Sequence, residues 1–145
     1  MASTPDFRLG IVTPVVTLLP GAHARWEIDA GIGEITRVVV EAERLGYDFC
    51  TCSEHVAVPV DVAEVRGGRY WDPLALFGFL AARTTQINLA TFVLVLGYHH
   101  PLPIAKQYST QDAERKGRLN PGVGAGAWGE GVALHAAGVT DRGAV

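Results

Sequence analysis

Hydrophobic and polar positions along the chain follow two alternating rhythms. Short apolar runs fit strands, and longer stretches with i, i+3, i+4 spacing fit helices. "FRLGIVT" (7–13) reads as a strand that stops before Pro14. Residues 14–29 read as loop, with a turn at Pro20 and Gly21. From Ala30 to Leu45, residues Ile32, Ile35, Val38, Val39, Ala42 and Leu45 form one stripe of a helix. Glu34, Arg37, Glu41 and Arg44 lie on its other side, and Gly46 fits a C-terminal cap. "YDFCTC" (47–52) is the second strand, followed by a long loop over 53–71. The helix over 71–84 opens with Asp72 as N-cap and Pro73 at its first position. "INLATFVLVL" (87–96) is nearly all apolar, as suits a parallel strand buried on both faces. A helix over 104–116, a strand over 118–126 and a last helix over 130–137 complete the series. Pro121 is awkward in that fourth strand, because proline removes a ladder donor.

The order βαβαβαβα points to an α/β fold with a parallel sheet. Two architectures fit: a small doubly wound sheet, or four βα units of a (β/α)₈ barrel. A complete barrel takes about 250 residues, so 145 residues hold about half of one.

Composition narrows the function classes. Nearly half of the residues are apolar and about a fifth charged, as in soluble globular proteins. A formal charge of -3 gives no reason to expect nucleic acid or an anionic membrane as a partner. No apolar run reaches the roughly 20 residues that span a bilayer, and Pro14 and Pro20 interrupt the apolar N-terminal stretch where a secretory signal would be continuous. A cytoplasmic location is expected, with Cys50 and Cys52 as reduced thiols. The two cysteines share a strand face and have no second ligand pair, so they read as small core residues and not as a metal site.

Other motifs leave alternatives open. Gly124, Gly126 and Gly129 spell G-x-G-x-x-G, yet no strand follows them as a dinucleotide fold requires. His99 and His100 could line a pocket or face solvent. Trp26, Trp71, Trp128, Tyr70 and Tyr98 could wall an aromatic pocket or pack in the core.

"LGYDFCTCSEH", "YWDPLALFGFLAARTTQINLATFVLVLGYHHPLPIAKQ", "GRLNPGVGAGAW" and "GVTDRG" follow one another as in the luciferase-like monooxygenase superfamily. The chain resembles most its branch of coenzyme F-420 (deazaflavin)-dependent oxidoreductases, over about residues 7–143. The resemblance implies a single incomplete (β/α)₈ barrel domain over 1–145, corresponding to the N-terminal half. It implies hydride transfer between coenzyme F-420 and a small organic substrate, or flavin mononucleotide (FMN)-dependent monooxygenation. A truncated, non-catalytic half-barrel that needs a partner is the third reading, because a four-stranded half leaves two edges and an apolar face open. Homo-oligomerisation or a missing C-terminal half is therefore expected.

The resemblance also implies the site. Barrel active sites lie at the C-terminal strand ends. His55 becomes the candidate acid/base or substrate-orienting residue, since an imidazole with an ordinary pKa of about 6.5 suits proton exchange near neutrality, and Glu54 is its neighbour, orienting His55 or pairing with an arginine. Val93, Leu94 and Val95 lie behind the cofactor ring, where the branch often has a non-proline cis peptide. Gly124 and Gly126 let the ring approach the backbone. No metal site is expected.

Overall fold

A computed structural model describes residues 7–126. Four strands, β1 (Gly10–Val12), β2 (Phe49–Cys52), β3 (Asn88–Val95) and β4 (Leu119–Gly124), form one sheet in that order, and every neighbouring pair is parallel. Parallel pairing requires crossovers. Helix α1 (Ile32–Arg44) joins β1 to β2, α2 (Val60–Arg66) and α3 (Pro73–Ala81) join β2 to β3, and α4 (Pro101–Glu114) joins β3 to β4. This is the α/β architecture expected of four barrel units, laid out as an open sheet.

Register explains the core. Ile11, Cys50, Leu89 and Leu119 stand side by side across the four strands. Period-two alternation puts them on one sheet face, where they meet Ile35 and Val39 of α1, Phe77 and Leu80 of α3, and Tyr108 of α4. Burying each of the large aliphatic or aromatic side chains contributes about 1.5–3 kcal/mol. On alternate positions the sheet is bare: Val12 is 73% and Phe92 66% exposed.

The helix ends are encoded locally. Gly46 has φ 83°, the left-handed conformation that glycine adopts without strain. Its N–H donates to Glu43 O, and Tyr47 N–H donates to Ala42 O, the paired bonds of a Schellman cap. Asp72 accepts from Ala75 N–H at 2.7 Å, with Pro73 opening α3 as its missing donor allows.

Three elements differ from expectation. The segment 53–71 contains α2, a seven-residue helix with no buried residue and therefore no apolar stripe to announce it. Helix α4 begins at Pro101, three positions early; both Pro101 and Pro103 fall in the first turn, where backbone N–H groups have no helical acceptor. Pro121 does lie within β4, opposite Thr91, and β4 is a border strand among the described residues. The register of β3 against β4 then shifts between Thr91 and Leu94, and the Thr91 hydroxyl donates to Gly122 O at 2.7 Å. The helix expected at 130–137, Trp128, Gly129 and the "GVTDRG" motif lie outside the described residues.

Candidate functional site

Parallel strands bring all their C-terminal ends to one edge of the sheet. That rim carries Thr13 after β1, Ser53, Glu54 and His55 after β2, the 3₁₀ turn Leu96–Tyr98 with His99 and His100 after β3, and Ala125 and Gly126 after β4.

Glu54 joins two of these loops. Its side chain is 5% exposed, and its Oε1 lies 2.7 Å from Nε2 of His99. Val95 N–H donates to its Oε2 at 2.8 Å. A carboxylate buried without partners would cost several kcal/mol, and this one is held by a backbone donor and an imidazole. The expected partner was His55 or an arginine; the observed bonds run to His99 and Val95. The pairing could not be read along the chain, because it depends on β2 and β3 being parallel with Cys52 opposite Thr91.

His55 stacks on Tyr70, with ring centroids 4.1 Å apart and planes tilted by 57°. Tyr70 O–H donates to Arg66 O at 2.8 Å, at the end of α2. The loop after β1 supports this pair from below: Thr17 bridges Tyr70, and Trp71 N–H donates to Val16 O. That loop is itself fastened by Glu27, whose carboxylate accepts from Val15 N–H at 2.8 Å and Ala24 N–H at 2.7 Å. Val15 is held at φ 74°, a conformation that a β-branched residue rarely adopts. Neither Glu27 nor Val15 stood out in the sequence.

The expected cofactor residues converge where β3 and β4 end. Leu94 pairs with Val123 and Val95 with Gly124. The peptide bond Phe92–Val93 is cis, one position before the expected segment. A Cβ at Gly124 would stand 2.6 Å from Val93 Cγ2, and one at Gly126 would stand 2.9 Å from Val95 Cγ1. Both glycines are thus required by the packing of β3 side chains against β4, a reason beyond access for a ring. Tyr98 lies beside Gly126.

The other candidates fall elsewhere. Cys50 and Cys52 are free, buried thiols, as expected. Burial pushes them up to about 11 and about 12 respectively, with nearby Asp72 adding to the effect at Cys52. Burial and the charge of Glu54 also push up the Tyr108 phenol. Trp71 packs against the core, whereas Trp26 borders an apolar groove of about 500 Å³ beside α1 with Ile11, Val38, Leu45 and Tyr47. No cluster of three metal-ligating side chains occurs among the described residues. No helix among them is long and apolar enough to cross a membrane.

Chemically, the rim offers three imidazoles and a carboxylate beside an apolar floor that includes the exposed Phe92. Proton carriers above an apolar surface fit a planar redox ring: Val93–Val95 would back it, and His55 or His99 would handle protons. The ring would supply the electron or hydride transfer, while the chain positions and protonates.

The profile of the luciferase-like monooxygenase family (Bac_luciferase) matches residues 8–142. The 3,6-diketocamphane 1,6-monooxygenase of Pseudomonas putida is 28% identical over 120 residues, covering 80% of this chain and 28% of that protein. The crystallised oxygenating constituent of 3,6-diketocamphane monooxygenase, from the CAM plasmid of P. putida and in complex with FMN, is 27% identical. It superposes with a TM-score of 0.61 over 88% of this chain and 32% of its own. The coenzyme F420-dependent tetrahydromethanopterin reductase of Methanopyrus kandleri shares the fold, with a TM-score of 0.60 at 20% identity over 93% of this chain and 31% of its own. The chain therefore spans about a third of the length of these relatives. A match over nearly its whole length shows that the chain belongs to the luciferase-like monooxygenase family.

Proposed function

We propose that the chain is the N-terminal half-barrel of a flavin- or deazaflavin-dependent oxidoreductase that transfers hydride between coenzyme F-420 and a small organic substrate. The observation that carries this reading is the Glu54 carboxylate on the rim, next to His55 in the chain and held by His99 and Val95 N–H, where β3 departs from regular pairing with β4. His55 is the proton carrier, and Glu54 holds the ends of β2 and β3 together. Val93, Leu94 and Val95 back the ring, with Gly124 and Gly126 alongside.

The second reading is an FMN-dependent monooxygenase. It is supported by the 27% identical P. putida structure, which is described in complex with FMN. Both readings place the whole activity in a barrel completed by further strands, from a C-terminal half or from another copy of the chain.

Titration with oxidised coenzyme F-420 and with FMN, followed by quenching of tryptophan fluorescence, tests the proposal. Saturable quenching by the deazaflavin alone supports the first reading, and quenching by FMN alone supports the second. Quenching by neither, in a protein shown to be folded, rejects both for the chain by itself.

A further inference from the structure

We propose that Nδ1 of His99 is a second proton acceptor on the rim, a catalytic group separate from His55; this rests on the hydride-transfer reading above. The inference starts from the contact between Oε1 of Glu54 and Nε2 of His99 at 2.7 Å. One proton lies between two atoms that close. The other carboxylate oxygen of Glu54 is already accepting from Val95 N–H, as an ionised carboxylate does. We assign the shared proton to Nε2, the tautomer that sets an N–H donor against a carboxylate acceptor. In neutral His99 this fixes the tautomer and leaves the lone pair on Nδ1, which has no hydrogen-bond partner among the described residues.

A buried carboxylate behind an imidazole has two effects. It orients the ring, and it stabilises the imidazolium that forms when the far nitrogen takes a proton. Glu54 is suited to both, since it is 5% exposed while His99 keeps 24% of its side chain open. Glu54 acts electrostatically on Cys52 of β2 and Tyr108 of α4, and Asp72 at the start of α3 and the Arg115 guanidinium act on Tyr108 as well. His55 and His100 are the other imidazoles on this rim, and Tyr98 the other phenol. His99 follows the turn Leu96–Tyr98 directly, so it stands beside the strand end that includes Val95.

In the oxidation of a carbinol, a bound deazaflavin would supply the acceptor for the hydride released as the C–H bond breaks. The O–H proton passes to Nδ1 of His99, and the C–O bond becomes C=O. The reverse reaction takes the proton from the imidazolium.

Nitrogen–proton correlation spectra of the labelled imidazoles test the pair directly, without cofactor. The expected result is a His99 whose neutral form carries its proton on Nε2, and a mixture of both tautomers in Glu54→Ala. A proton on Nδ1, or a tautomer preference that Glu54→Ala leaves unmoved, overturns the proposal. In the protein that turns over a carbinol, His99→Gln keeps an N–H donor for Glu54 but loses the basic nitrogen. Cofactor affinity should then stay within about twofold while turnover falls by about 10²-fold or more. Undiminished turnover overturns the proposal. Absence of quenching by either cofactor would instead remove the flavin reading, and the spectra would still decide the pair.

Discussion

Glu43 on α1 reaches across to Thr85, accepting from its N–H at 3.0 and 2.9 Å and from its hydroxyl at 3.2 Å. The same carboxylate accepts from Gln86 and Ile87 N–H at 2.7 and 2.8 Å, so one side chain satisfies three successive donors just before β3. Burial opposes its ionisation, but these donors outweigh burial and hold the carboxyl below the ordinary range. A depressed carboxyl stabilises the fold fully above its unfolded-state value and loses that contribution as pH falls through the folded-state value. Glu43→Ala should cost about 1–3 kcal/mol at neutral pH. Urea midpoints of the two proteins should converge as the medium is acidified below the ordinary carboxylate range, and a gap that persists unchanged would refute the assignment.

His55→Ala, made in a protein that turns over, should lower the rate by about 10²-fold or more if this imidazole moves a proton. Its stacking on Tyr70 supplies a control, because His55→Phe keeps the ring contact and loses the nitrogens. Equal rates in wild type and His55→Phe would reassign the residue to packing.

The two thiols give a chemical measure of the core. With Cys50 raised to about 11 and Cys52 to about 12, almost no thiolate exists at neutral pH in the folded chain. A thiol-titrating disulfide reagent should react slowly with native protein and rapidly in denaturant. Fast native labelling would show that the sheet–helix layer opens.

Arg115 is buried beneath α3, with its guanidinium carbon 5.7 Å from the Phe77 ring centre, and none of its three side-chain nitrogens has a hydrogen-bond partner among the described residues. Burial, and next the neighbouring Arg118, hold it down to about 10. Unpaired buried charge is costly, so Arg115→Met should raise the thermal midpoint, by an amount corresponding to about 1–3 kcal/mol. Removing the guanidinium from the Phe77 ring costs about 0.5–1 kcal/mol, which is the smaller effect. A lower midpoint in Arg115→Met would contradict this ordering.

The bare sheet face predicts association. Val12 and Phe92 are exposed on this face of a sheet whose outer borders, β1 and β4, are unpaired among the described residues. The chain should sediment as concentration-dependent oligomers, and Phe92→Lys should shift it toward monomer. A monodisperse, cooperatively melting monomer would contradict the prediction.

Much of this architecture was legible from local chemistry. The Asp72–Pro73 start, the Gly46 stop and the apolar run of β3 each follow from adjacent residues. Helix α2 was not legible, because "VDVAEVR" buries nothing and so carries no periodic mark. The Glu54–His99 contact was not legible either, because the two residues lie 45 positions apart and meet only through sheet register. Arg115 was misleading in a different way: it stands between Glu114 and Lys116, a run that reads as solvated, yet its side chain turns inward.

The strand order has one further consequence. Each strand pairs with its predecessor, so β1, β2, β3 and β4 stand in space as they stand in the chain. During synthesis, every unit leaving the ribosome meets a template already in place and joins at a single growing border. No later segment has to thread between earlier ones, and the sheet can lengthen one unit at a time.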